Sequence, residues 1–228
     1  MGGAIGRRGI AVSTGHAGQP VGRAGTSVEH ADTAMLLVHG RGGSAEDILE
    51  LGRALAGDAP EFGIALYAPQ AAGGTWYPES FMTPIHRNEP WLSSALALLG
   101  QVLEDIAEAR IPRERTIVAG FSQGACLATE FVARNPTRYG ALLAFTGGLI
   151  GPPLMEFPHE GDLEETPVYL SAGDTDPHVP WRRMEATREV LERMRARVTL
   201  RRWPGRPHTI LAEEVEEARE MISPLLQN

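Results

Sequence analysis

Apolar residues along this chain fall into two alternating patterns. Short, mostly apolar runs occupy residues 34–38, 64–67, 116–119, 141–145 and 168–172, and residues 198–203 alternate apolar with polar. Between them, apolar positions recur every three or four residues: Ile48, Leu51 and Leu55; Leu92, Leu96, Leu99, Leu103 and Ile106; Cys126, Leu127 and Phe131; Met184, Leu191 and Met194; Leu211, Val215, Ala218 and Ile222. The short runs are expected as strands covered on both faces, and the spaced stretches as helices with one apolar side. Strand and helix in strict alternation predict an α/β fold with a mostly parallel central sheet and helices on both faces.

Local punctuation supports the same reading. Ser44 followed by Asp47 has the form of a capping box opening the first helix. Pro112 and Asn135-Pro136 stop the helices that precede them. The charged side of the helix carrying Met184 and Leu191 is expected to face solvent. Residues 1–30 are rich in Gly, Ser and Thr and are expected as an N-terminal extension or edge hairpin, with residues 31–228 forming one domain. Residues 70–90 form an unusually long connection holding Trp76, Tyr77 and Phe81, with Trp91 at its end. Long connections of this kind are often functional, and these four aromatics are candidates for the wall of a substrate pocket.

Composition narrows the class. At 228 residues, 43% hydrophobic and 22% charged, the chain has the make-up of a globular protein able to bury a continuous core. Its net charge of −8, with arginines mixed among glutamates, argues against a nucleic-acid partner. Cys126 is the single cysteine, so no internal disulfide forms, and no cluster has zinc-ligand spacing. No metal or other cofactor is expected. The first residues lack the apolar core of a signal peptide, and no apolar stretch is long enough to span a bilayer. The expectation is a cytoplasmic protein without stable membrane insertion, a monomer or homodimer, acting on a small molecule.

The chemistry concentrates where strands end. Gly120-Phe121-Ser122-Gln123-Gly124 follows an apolar run and opens a helical pattern. A serine between two close-packing glycines at a strand-to-helix turn has the form of a nucleophile elbow. In a chain with 26 glycines that motif alone is weak, and its context decides. A serine nucleophile needs a base, a carboxylate to orient the base, and donors for the oxyanion. Asp176 follows the run at residues 168–172, and His208 follows the last strand, in the serine, acid, histidine order. Asp174 and His178 are the nearest competitors. His178, two residues from the acid, is tethered to the same loop and poorly placed to bridge acid and serine. Backbone N–H groups of Gln123 and of Arg41, in the turn His39-Gly40-Arg41-Gly42-Gly43, are the candidate oxyanion donors. His39 is expected to fix that turn, and Cys126 to fill the core. The turn lacks the Gly-x-Gly-x-x-Gly and Gly-Lys-Ser/Thr patterns of nucleotide sites.

Taken together, four motifs resemble the phospholipase/carboxylesterase family of α/β-hydrolases. They are Leu36-Leu37-Val38-His39-Gly40-Arg41-Gly42, Gly120-Phe121-Ser122-Gln123-Gly124-Ala125, Gly173-Asp174-Thr175-Asp176-Pro177-His178-Val179-Pro180 and Gly205-Arg206-Pro207-His208. The resemblance implies an α/β-hydrolase fold, a triad of Ser122, Asp176 and His208, no metal, and hydrolysis of short- to medium-chain acyl esters through an acyl-enzyme. An acyl thioesterase or lysophospholipase is the alternative activity, and a non-catalytic binding protein on the same scaffold is the rival of another class. The first turn departs from the His-Gly-Leu-Gly-Asp usual in the thioesterase branch. Trp76-Tyr77-Pro78 and Asn88-Glu89-Pro90 look more like bacterial carboxylesterases.

Overall fold

A computed structural model describes residues 15–57, 63–153 and 155–226. Seven strands form one sheet in the order β1-β3-β2-β4-β5-β6-β7. They are β1 (Val21–Gly25), β2 (Thr33–Val38), β3 (Ile64–Pro69), β4 (Thr116–Phe121), β5 (Ala141–Phe145), β6 (Pro167–Gly173) and β7 (Arg197–Trp203). All neighbouring pairs are parallel except β1 with β3. Five α-helices accompany them among the described residues: α1 (Ala45–Ala56), α2 (Trp91–Glu108), α3 (Gln123–Arg134), α4 (Trp181–Arg193) and α5 (Ala212–Leu226).

The inner strands are buried and mostly apolar because successive side chains enter two different cores. Leu36, Val38 and Val118 face α2, α3 and α4, whereas Met35, Leu37 and Ile117 face α1 and α5. Edge strand β7 has a hydrogen-bonded neighbour on one side only; Val198 and Leu200 pack on the core, and Arg197, Arg201 and Arg202 place charge along an edge that pairs no further. The capping box forms: Ser44 Oγ accepts from the Asp47 amide at 3.1 Å, and Asp47 Oδ2 accepts from the Ser44 amide at 2.8 Å.

Two expectations are amended. The early edge element makes no hairpin among the described residues; β1 pairs with β3 across α1, matching Val21 to Pro69 and Gly25 to Ala65. Residues 21–25, within the stretch expected to precede the domain, therefore complete its sheet, and residues 1–14 of that stretch lie outside the described residues. The polar side of α4 is not wholly solvated either. Arg183 is buried and donates to the carbonyls of Leu149, Gly151 and Pro152, tying α4 to the loop after β5. No periodicity reveals this, since the carbonyls that accept from it lie more than thirty residues away.

The chain turns from building leftward through β2 and β3 to building rightward from β4, so β2 and β4 flank the switch point of the sheet. Register aligns Val38 with Gly120 and Phe121 with Phe145 at the carboxyl edge. Open α/β sheets bind ligands at this edge beside such a switch, because loops and helix N-termini diverge there.

Candidate active site

Ser122 stands between β4 and α3 with φ 55° and ψ −119°, a conformation rarely adopted by a non-glycine residue. Two glycines make the turn feasible. A Cβ on Gly120 would lie 2.6 Å from the Gly124 carbonyl group, and one on Gly124 would collide with the Val38 carbonyl oxygen. The elbow is pinned from both sides, by the Ser122 amide donating to Phe145 O at 2.9 Å and the Cys126 amide donating to Ser122 O at 3.0 Å.

The other two residues arrive from loops after β6 and β7. His208 Nδ1 donates to Asp176 Oδ2 at 2.7 Å, because a carboxylate only accepts; Nε2 is then the acceptor for the Ser122 hydroxyl, also at 2.7 Å. Asp176 Oδ1 accepts from the amides of His178 and Val179 at 2.8 and 3.0 Å. Burial works to raise the Asp176 pKa, but the donors from His208 and the two amides outweigh it and hold the carboxyl below its ordinary value. The His208 ring is held between Phe121, at 5.3 Å, and the edge of His178, at 4.8 Å. His178 is thus packed on the histidine it competed with. Asp174 Oδ1 accepts from the Gly205 amide at 2.8 Å and links the acid loop to the histidine loop.

The turn after β2 lies opposite. His39 is buried; its Nε2 accepts from the Ala71 amide at 3.1 Å, so the proton resides on Nδ1 and is donated to Gly40 O at 2.7 Å. Burial lowers its pKa, which keeps it a neutral brace. Among the described residues no acceptor engages the backbone amide of Arg41 or of Gln123. Their side chains have a second task that sequence reasoning missed. The Arg41 guanidinium donates to the carbonyls of Tyr77, Pro78 and Glu79, at 2.8 to 3.0 Å. The Gln123 amide group donates to Tyr77 O at 2.9 Å and accepts from the Trp76 amide at 3.0 Å. Both turns therefore grip the same loop.

A cleft of about 670 Å³ opens beside Ser122, with Tyr77, Phe81, Met82, Cys126, Val179 and Pro180 among its walls. That volume falls within the range of small-molecule sites. Of the four candidate wall aromatics, Tyr77 and Phe81 line it and the two tryptophans do not. Trp76 is fully buried, its indole N–H donating to His39 O at 2.8 Å. Trp91 packs against His16 on the far side of Trp76. Cys126 borders the cleft, but burial pushes its thiol up to about 12, so it carries no thiolate near neutrality. Asn88, also missed, is buried and staples the loop by accepting from the Glu79 amide and donating to Ser80 O. Among the described residues no group of three or more His, Cys, Asp or Glu side chains could hold a metal ion.

Comparison with known proteins identifies the family and the fold. A sequence model of the phospholipase/carboxylesterase family matches residues 26–226. A phospholipase/carboxylesterase from Dyadobacter fermentans shares 45% identity at a TM-score of 0.85, covering 90% of this chain and 96% of that one. The structure of esterase PE8 is 26% identical at a TM-score of 0.74, covering 91% of this chain and 98% of that one. Acyl-protein thioesterase 1 of Neurospora crassa is 23% identical over 60% of this chain. The chain spans 57% of the length of that thioesterase.

Proposed function

The chain belongs to the phospholipase/carboxylesterase family of α/β-hydrolases, and on that premise we propose that it hydrolyses short- to medium-chain acyl esters with Ser122 as nucleophile, His208 as base and Asp176 as orienting carboxylate. The observation that carries the proposal is the continuous hydrogen-bonded chain from Asp176 through His208 to Ser122 at the mouth of the cleft.

Ser122 Oγ attacks the acyl carbon while its proton passes to His208 Nε2. Negative charge moves onto the former carbonyl oxygen, where the amides of Gln123 and Arg41 receive it; removing one such donor typically costs about 2.7–4 kcal/mol in the transition state. Gln123 also heads α3, whose aligned peptide dipoles favour that charge. The tetrahedral species collapses, the acyl carbon–oxygen bond to the alcohol breaks, and His208 returns the proton to the departing alkoxide. Water then attacks the acyl-enzyme with His208 again taking the proton, and the acid is released. Asp176, held as a carboxylate, keeps the imidazole proton on Nδ1 throughout.

Replacing Ser122 with alanine is expected to abolish hydrolysis of p-nitrophenyl butyrate without shifting the thermal midpoint. Undiminished turnover by that variant overturns the assignment. The partial match to an acyl-protein thioesterase favours thioesters as a second substrate class. A matched series of esters and thioesters from two to sixteen acyl carbons separates the two, and a cleft of this size predicts an optimum well below the longest chain.

A further inference from the structure

His208 is carried by the least supported part of the site. Its loop joins β7, an edge strand with a neighbour on one side only, to the last helix, α5. Proton transfer needs the imidazole held to about half an ångström. Something beyond the loop's own backbone has to supply that precision.

We propose that Arg206, through a buried ion pair with Glu214 and a hydrogen bond to Thr146, is the positioning residue that holds His208 in line between Asp176 and Ser122; this rests on the triad reading above. The side chains of Arg206 and Glu214 are 1% and 0% exposed. One guanidinium reaches three partners. Nη1 donates to Glu214 Oε2 in the first turn of α5 at 3.1 Å and to the Thr209 carbonyl just past His208. Nη2 donates to Thr146 Oγ1 at 2.7 Å. Glu214 Oε2 also accepts from the Leu211 amide at 2.8 Å, closing the far end of the loop. Thr146 directly follows Phe145, whose carbonyl holds the Ser122 amide, and its own amide donates to Ser171 O in β6 at 2.7 Å. The start of the acid loop is packed on the same residue, since a Cβ on Gly173 would collide with the Arg206 carbonyl oxygen. Base, nucleophile and acid thus meet in the surroundings of one buried side chain.

Energetics favour a geometric role over a stabilising one. Burying two charges strips both of water, and apolar residues of similar volume often do as well or better for stability. What apolar residues lack is direction. The planar guanidinium fork fixes two bonds at a set angle, which a lysine cannot reproduce.

The test compares the parent enzyme with Thr146→Ala, Thr146→Ser and the double variant Arg206→Met/Glu214→Leu. Folding is verified by circular dichroism. Thr146→Ala is expected to lower kcat about tenfold, and the double variant up to about a hundredfold, the size of effect a small misplacement produces. KM should stay within twofold, and Thr146→Ser, which keeps the hydroxyl, should retain the parent kcat. In parallel, the downfield proton resonance of His208 Nδ1–H, recorded without substrate, should broaden in Thr146→Ala and not in Thr146→Ser. A folded double variant with parental kcat and an unchanged resonance overturns the proposal. If the double variant does not fold, the Thr146 pair decides, and parental behaviour of Thr146→Ala overturns it. Should the parent itself turn over no ester, the functional reading fails separately, and the resonance still decides whether Arg206 positions His208.

Discussion

Gly124 carries as much of the elbow as the serine does. Its missing side chain lets α3 start against the Val38 carbonyl at the end of β2, the strand that leads into the turn carrying Arg41. Gly124→Ala is therefore expected to destabilise the fold by about 1–3 kcal/mol, the usual penalty for overpacking a filled interior, and to lower kcat even where the protein remains folded. Urea unfolding and steady-state kinetics measure both. The motif was legible because its chemistry is local: serine, the following amide and both glycines lie within five consecutive residues. The side-chain duties of Arg41 and Gln123 were not legible. Both depend on Tyr77, thirty-six and forty-six residues away, and a long polar side chain in a sequence does not announce which carbonyls it will meet.

At the scale of elements, the loop between β3 and α2 is the part most dependent on remote partners. It is held from one side by Arg41 and Gln123 and from the other by His16, ahead of β1. His16 is fully buried; its Nδ1 accepts from the Ala72 amide at 3.0 Å, so Nε2–H donates to Trp76 O at 2.9 Å. Burial lowers the pKa of both His16 and His39. In the unfolded chain each titrates near about 6.5. As pH falls below that value the unfolded state takes up protons that the folded state refuses, so their contribution is full above it and is lost as pH falls toward the lowered folded values. The urea midpoint should thus decline between pH 7 and 5, before the carboxylates titrate. His16→Gln, which keeps one donor and one acceptor, should decline less steeply over that interval, and a slope equal to the parent's would refute this account. The strands were legible because burial on both faces demands mostly apolar runs. Trp76 and Trp91 lie outside the cleft lining, which the sequence does not reveal because an aromatic in or beside a long connection looks the same whether it faces a cleft or the interior.

For the whole molecule, the net charge of −8 acts on what reaches the cleft. Anionic esters are repelled over a distance that salt shortens, from roughly 30 Å at 0.01 M to about 10 Å at 0.1 M. Between those ionic strengths kcat/KM for a carboxylate-bearing ester should rise while that for a neutral ester of equal size stays level. A fall for the anionic ester would show that a local positive field outweighs the overall charge. No helix among the described residues is long and apolar enough to cross a membrane.

Fold class, strand order of the motifs and the identities of Ser122, Asp176 and His208 as candidates came from sequence alone, because each rests on neighbours along the chain: apolar runs, turn glycines, and a residue just past a strand end. Tertiary structure decided everything that joins one strand end to another. It set the 2.7 Å contacts of His208, separated Tyr77 and Phe81 from Trp76 and Trp91, and buried Arg206 against Glu214 and Thr146. The reason is physical. Most buried polar side chains need a hydrogen-bonding partner, and where that partner is distant in sequence, its identity depends on how the whole sheet is assembled.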